Sequence, residues 1–478
     1  MGMPCQFCVA TRIVKSITSQ QAAPCSKYAT ITEPPTKTDM KRLLVIIPVF
    51  VALAFAYDAS VKQFARVSAV PVGNGGMVAC THTANPYCAW NSNQTGVYEI
   101  YGCQGGYATG TFQCAGAPAC LTCGRDSTQF GYSRSAQKGQ PWFEPTNNKQ
   151  LNLWVSNPSY TSGKCSAPRP GNGICGDLWV MNINITQSGA TLTNPNAGCS
   201  AASPSNCLPN ANITQIPNPD ANGGLENGVL FARYGGGLLW FSYRFGDRRP
   251  GACAIGAWTA RAFHYTDEGG RFRLGPEVAA VANASKRAFP CNYVEMSGFY
   301  DQSSGEFTFQ AAPNRARLWN NNIYGISPRG TIDTVIPWGA GPGSVSDCPW
   351  NEHANTDPSG KWILWSSSHG ATAGSYNGCA APFNPELPLD KWMAPLTHPA
   401  PGHLGADLSR AVRLTGFNVP GSSDRDYVCS IEGPCGTGPA ARTFSGGYAD
   451  FIGDGQGIQL VKHGVGNGTL FGFSIKVN

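Results

Sequence analysis

Two adjacent residues, Glu352 and His353, put a carboxylate and an imidazole at one point of the chain. That pairing serves general acid–base work or divalent-metal ligation. The pair opens the stretch NEHANTDPSGKWILWSSSHG, Asn351 to Gly370, which His369 closes, and Trp350 stands just ahead of it. Glu295 occupies a similar place ahead of an earlier run. None of the seven histidines (His82, His264, His353, His369, His398, His403, His463) lies in an HExxH or other local ligand spacing, so no metal and no other cofactor is expected. G-x-S-x-G elbows, EF-hand loops and nucleotide-binding glycine loops are missing, and no catalytic residue is assigned.

The elements that hold these residues are short strands. Asp357-Pro358-Ser359-Gly360 is a turn: proline fixes φ, the Asp side chain accepts backbone N–H groups, and glycine tolerates positive φ. The run Lys361 to Trp365 then sets Trp362 and Leu364 on one face and Ile363 and Trp365 on the other. Both faces are apolar, as in a strand whose sheet is packed between two neighbours.

The same form recurs. YVEMSGFYDQSSGEFTFQAA from Tyr293 repeats strand, turn and return strand, and looser copies start at Gly228, Pro141 and Gly446. An aromatic strand leading to a polar turn follows at Gly176, Gly256, Asn321 and Asp390. A further copy of it, GVYEIYGCQGG from Gly96, pairs with a hairpin from Gly75. Two hairpin-like elements per repeat give four-stranded units, six in all. With 58 Gly, 36 Pro and no long amphipathic periodicity, the chain reads as all-β.

The hairpin EHANTDPSGKWILWSSS resembles the SPDGKWI-type repeat of TolB-like six-bladed β-propellers, and DLWVMN, VYEIY and AVRLTGFN resemble that family's outer strands. The resemblance implies a six-bladed β-propeller of four-stranded antiparallel blades over residues 75–478. It places Glu352, His353, Glu295 and Trp350 at the channel mouth, where ligands meet such a fold; the alternative reading is structural, with the Glu352–His353 pair hydrogen-bonding the loops between blades. Some propellers of this broad superfamily resemble oligogalacturonate lyases, which use channel histidines and a divalent cation; that resemblance implies His353 and His369 as the first metal ligands, with Glu352 as a further ligand or base.

The N-terminus reads as a leader. Met40-Lys41-Arg42 precedes an apolar run from Leu43 to Ala56 ending in Ala54-Phe55-Ala56. That is a basic n-region, an h-region too short to span a bilayer, and an A-x-A cleavage site. Residues 1–39 are an upstream extension, 40–56 a signal peptide and 57–74 a linker. Three of the 19 cysteines precede the cleavage site. The remaining sixteen suit an oxidising compartment and disulfide-stapled loops, with Cys165 near Cys175, Cys199 near Cys207 and Cys429 near Cys435. The cluster Cys114, Cys120, Cys123 is the expected place of a longer-range bridge. Five N-x-S/T sequons (Asn93, Asn184, Asn212, Asn283, Asn467) fit glycosylation in a secretory route. Residues 57–478 carry a charge near +2 without basic runs, which gives no nucleic-acid footprint.

The expectation is a secreted, extracellular binding module rather than an enzyme, taking a polysaccharide or protein at the channel mouth, with no stable membrane insertion after cleavage. The alternative is a metal-dependent polysaccharide lyase or hydrolase at the same place. It requires at least three His, Asp or Glu side chains within metal-ligand reach of one point. Trp142, Trp319, Trp338, Trp350 and Trp392 are the candidate sugar-stacking aromatics. Most of them are better explained as core packed between blades, and Trp338 and Trp350, near Gly- and Pro-rich loops, are the ones to examine for exposure.

Overall fold

Hairpin turns set the architecture. Between Val294–Asp301 and Glu306–Ala311, the Asp301 carboxylate accepts the Ser304 N–H at 2.6 Å, Gly305 takes φ 76° and its N–H returns to the Asp301 carbonyl. Only glycine enters that left-handed region without a steric cost. Ser327 and Gly330 (φ 81°) close the next hairpin in the same way, and a Cβ on Gly330 would lie 2.7 Å from the Ala280 carbonyl.

The computed structural model describes strands and their flanking residues between Ala59 and Val477, and all described residues belong to the unit Tyr57–Asn478. Residues 1–58 and many connections, including 122–136, 157–175, 193–223, 246–256, 338–349 and 371–387, lie outside them. The described strands begin with β1 (Ala59–Arg66). A first sheet holds β2 (Val78–Cys80), β3 (Tyr87–Ser92) and β4 (Glu99–Gly106), with β5 (Gln113–Cys114) and β6 (Ala119–Cys120) both on β4. The second runs β7 (Gln137–Phe143), β8 (Gln150–Ser156), β9 (Gly176–Thr186), β10 (Gly189–Leu192). The third has β11 (Gly224–Leu225) and β12 (Leu230–Ala232) on β13 (Leu238–Phe245), then β14 (Ala257–Asp267) and β15 (Phe272–Glu277). The fourth is β16 (Val294–Asp301), β17 (Glu306–Ala311), β18 (Asn322–Ile326), β19 (Ile332–Ile336). The fifth is β20 (Asn351–Thr356), β21 (Trp362–Ser367) and β22 (Asp390–Thr397), with β23 (Gly405–Ala406) and β24 (Val412–Arg413) on β22. The sixth joins β25 (Ser445–Gly453), β26 (Gln456–Lys462) and β27 (Thr469–Val477) to β1.

Among the described residues there are thus six antiparallel sheets of four or five strands. Their first strands pack in series: β16 against β20, β20 against β25, β25 against β2, and β2 against β7. The hairpin copies read from the sequence coincide with β2–β3, β7–β8, β12–β13, β16–β17, β20–β21 and β25–β26. One expectation changes. Within the 57–74 stretch read as linker, Ala59–Arg66 is a strand, antiparallel to Thr469–Val477 from Ala59 opposite Val477 to Arg66 opposite Phe471. This pairing covers the edge of β27 that would otherwise expose unpaired N–H and C=O groups.

Among the described residues two helices interrupt the all-β pattern. Helix α1 (Ala279–Ala288) buries Val281, Ala282, Ala284 and Ser285, and the Ser285 hydroxyl accepts the Ala260 N–H of β14 at 2.9 Å. Its last turn carries Lys286 and Arg287, the favourable sign at a helix C-terminus. Helix α2 (Ser423–Glu432) starts on the Ser422 side chain, carries Asp424 and Asp426 in its first turn, and ends at Gly433 (φ 99°). Arg425 fixes it by donating to the Phe417 and Arg442 carbonyls, both at 2.7 Å.

The fourth and fifth sheets share one apolar core, in which Phe299, Ile323 and Val335 meet Ala354, Ile363, Trp365 and Trp392. Phe289, just past α1, packs edge-on against Phe309 and Tyr324. Truncating a side chain as buried as Trp365 costs about 3–5 kcal/mol.

Three disulfides are described: Cys80–Cys88, Cys103–Cys114 and Cys429–Cys435. The last is the loop staple read from spacing. Cys114 makes a local bridge to Cys103, because β5 pairs beside β4 with Cys114 opposite Gly105. Cys165, Cys175, Cys199, Cys207 and Cys123 lie outside the described residues. Among the described residues no helix is long and apolar enough to cross a membrane.

Candidate functional site

The fifth sheet positions the residues singled out in the sequence. Opposed residues in antiparallel strands project from the same face. Across β20, β21 and β22 the register therefore makes two polar rows, Glu352–Ser366–Lys391 on one face and Asn351–Ser367–Asp390 on the other. All six residues are buried.

Between Glu352 and Asn355 the register slips, with two residues of β20 facing one of β21. His353 sits in this bulge at φ 52°, and is the non-glycine residue with positive φ among the described residues. A non-glycine residue in that region is held there by its surroundings at a cost of about 1–3 kcal/mol. The surroundings are visible: Gln310 of β17, in the neighbouring sheet, accepts the His353 N–H through Oε1 at 2.9 Å. Similar slips mark the first strands β7, β16 and β25, so the bulge is a recurrent feature that β20 uses to re-aim a side chain.

Around the bulge the polar groups interlock. His353 Nδ1 lies 3.0 Å from Glu352 Oε1, and the Trp350 indole N–H donates to Glu352 Oε2 at 2.5 Å. The Trp350 backbone N–H donates to the Ser368 hydroxyl at 2.8 Å, and Lys391 Nζ donates to Ser366 Oγ. Burial opposes charge on Glu352, yet His353, the Trp350 N–H and Lys391 together hold its carboxyl below the ordinary range. Burial brings the Lys391 ammonium down to about 7, with Glu352 acting in the opposite sense. Burial likewise pushes Asp390 up to about 6, countered by Arg413, Thr415 and the Phe417 N–H.

Two groups in the row behind stay open. Neither the Asn351 amide oxygen nor its nitrogen has a protein partner, although the residue is fully buried. Buried amides are nearly always satisfied, by protein, water or ligand.

Of the sequence candidates, the structure brings together Trp350, Glu352 and His353. Trp350 is not a surface aromatic: it is 4% exposed, because its indole N–H is committed to Glu352. Trp392 is also buried, between the His369 ring at 5.2 Å and the Arg413 guanidinium at 5.1 Å. His369 itself packs on that indole, while its carbonyl accepts from Arg413. Glu295 lies in β16 opposite Gln310, the residue that holds His353, but its side chain lies outside the described residues, as do Trp142, Trp319 and Trp338. Among the described residues no three His, Cys, Asp or Glu side chains meet at metal-ligand reach, and the trio His353, His369 and Glu352 does not form such a group.

No family model and no curated protein sequence matches the chain. Solved structures do. A protein of unknown function from Dyadobacter fermentans is 9% identical, with 88% of this chain and 99% of that chain covered at TM-score 0.47. Trypanosoma rangeli sialidase in complex with sialic acid is 12% identical over 87% of this chain and 58% of its own, at TM-score 0.40. A glycosyl hydrolase from Bacteroides ovatus is 10% identical over 70% and 82%, at TM-score 0.33. Likenesses of this size say nothing about chemistry, so the site stands on its own residues.

Four of those residues were not singled out in the sequence: Asn351, Gln310, Ser366 and Lys391. A lysine directly ahead of the apolar residues Trp392 to Ala394 was a signal. A buried lysine needs a partner, and the partner, Glu352, is two strands away.

Proposed function

We propose that the six sheets close into a six-bladed β-propeller and that the chain is an extracellular binding module. Its ligand is a polysaccharide or protein presenting hydroxyl and amide groups, engaged at the start of β20. The observation that carries this reading is His353. A bulge holds it in the left-handed region, its ring is paired with a buried Glu352, and Lys391 lies across the same row. Backbone strain and buried charge each oppose folding, and they persist together where a site needs a fixed polar geometry. Gln310 of the neighbouring sheet accepts the His353 N–H and fixes that geometry. Secretion rests on the basic and apolar leader of residues 40–56, and the described disulfides fit an oxidising compartment.

The test is a glycan array probed with the chain from Tyr57 onward and with a Glu352→Gln variant. Binding of a defined glycan class that weakens about tenfold in the variant supports the reading. No glycan bound, or equal binding by both proteins, contradicts it for polysaccharide and leaves a protein ligand to be sought by the same comparison.

A further inference from the structure

Away from β20, the segment between β22 and β23 crosses to the fourth sheet and makes two histidine–carboxylate contacts. His398 Nε2 lies 3.0 Å from Asp301 Oδ2, at the end of β16. His403 Nδ1 lies 3.0 Å from both Asp333 oxygens, on β19, and the next residue, Leu404, donates its N–H to Asp333 Oδ2 at 2.9 Å. Gly402 (φ 78°) turns the segment directly over the Ser304 carbonyl of the β16–β17 turn. The histidines are 34% and 42% exposed and the aspartates 5% and 19%, so water reaches the imidazoles while the carboxylates are held inside.

Behind the two aspartates lies Glu306, fully buried, with neither carboxylate oxygen in a geometrically sound hydrogen bond. Among the described residues, the titratable groups facing the histidines are Asp301 of β16, Glu306 of β17 and Asp333 of β19. Charged residues on their own sheet include Lys361, whose carbonyl accepts the Leu396 N–H, Asp407, which accepts from Ser409, and Arg410, whose guanidinium lies 6.0 Å from the Trp362 ring.

From this arrangement we infer that the seam between the fourth and fifth sheets is a proton-operated latch. Protonated His398 and His403 hold the segment Thr397–Gly405 against Asp301 and Asp333, and loss of the two protons loosens it. Histidine is the side chain whose charge changes between pH 5 and 8, and a charge-assisted contact is stronger than a neutral one. With the imidazoles charged, two positive groups face two carboxylates. With them neutral, those two positive charges are gone from the seam, and burial together with Asp333 and Asp301 keeps the Glu306 carboxyl protonated up to about 9. The latch is separate from the β20 site and does not depend on what that site binds.

The test is amide hydrogen exchange of the chain from Tyr57 onward, read at Leu404 and its neighbours at pH 5.5 and pH 7.5 and corrected for intrinsic exchange rate. The latch predicts protection about threefold or more greater at the lower pH, the scale of a partly exposed ion pair. It also predicts that the difference disappears in the double variant His398→Gln/His403→Gln. Equal protection at both pH values in the unsubstituted protein overturns the inference, as does a pH difference that survives in the double variant. Should the double variant fail to fold, the unsubstituted comparison alone decides, joined by Asp301→Asn, which is expected to halve the effect.

Discussion

The Nδ1 of His353 lies 3.0 Å from Oε1 of Glu352, the residue immediately before it, and the bulge of β20 is what allows neighbours in sequence to meet. In a regular strand successive side chains point to opposite faces. At φ 52° the backbone turns the imidazole back toward the carboxylate.

That geometry separates two substitutions usually treated alike. His353→Ala loses the ring and keeps the left-handed backbone, whereas His353→Gly loses the ring and relieves it. The glycine variant is expected to be more stable than the alanine variant by about 1 kcal/mol in urea unfolding. Equal stabilities would mean that the backbone at 353 is not strained.

Lys391 supports the same site from two strands away. Lys391→Ala removes a fully buried side chain and its hydrogen bond to Ser366 and is expected to cost about 3 kcal/mol, while Lys391→Met, closer in volume, costs less. The folded lysine titrates near 7 against an ordinary 10.5. Its contribution is fully present above pH 10.5 and is lost as pH falls through 7. Thermal melts across that window should slope less in Lys391→Met than in the unsubstituted protein.

Glu306 carries the opposite sign. With its carboxyl raised from 4.5 to about 9, its contribution is complete below pH 4.5 and is lost as pH rises toward 9. Glu306→Gln keeps the shape without the ionisation. The variant should match the unsubstituted protein near pH 4.5 and exceed it by about 1 kcal/mol or more at pH 8 in denaturant titrations. A variant less stable at pH 8 would show that the Glu306 charge is needed.

The Cys429–Cys435 bridge closes a short loop at the end of α2, beside the carbonyls that Arg425 gathers. Replacing both cysteines by serine is expected to cost about 2 kcal/mol, by the loop-closure argument for a separation of this length. Calorimetry under non-reducing conditions checks it.

How much of this was legible in the sequence depended on whether the cause was local. The β16–β17 and β20–β21 hairpins announce themselves through Asp, Ser and Gly at fixed offsets, and Gly305 and Gly360 take the positive φ their turns require. The β1–β27 pairing joins the two ends of the described chain, and Ala59–Arg66 has no turn signal of its own, so it read as linker. Helices α1 and α2, at ten residues each, are too short to establish an apolar period. The Glu352–His353 pair was visible as two adjacent letters. Its supports were not, because Gln310 and Lys391 reach it through strand register and sheet packing. Trp350 was a candidate for exposure from its Gly- and Pro-rich approach, yet it is buried, with its indole N–H on Glu352.

The central claim is that a polar ligand engages the start of β20. A crystal structure of the chain from Tyr57 onward, grown with the tightest-binding oligosaccharide from the array, tests it most directly. The account predicts ligand hydroxyl groups within hydrogen-bond distance of His353. A ligand seated on another sheet, with His353 untouched, would contradict it.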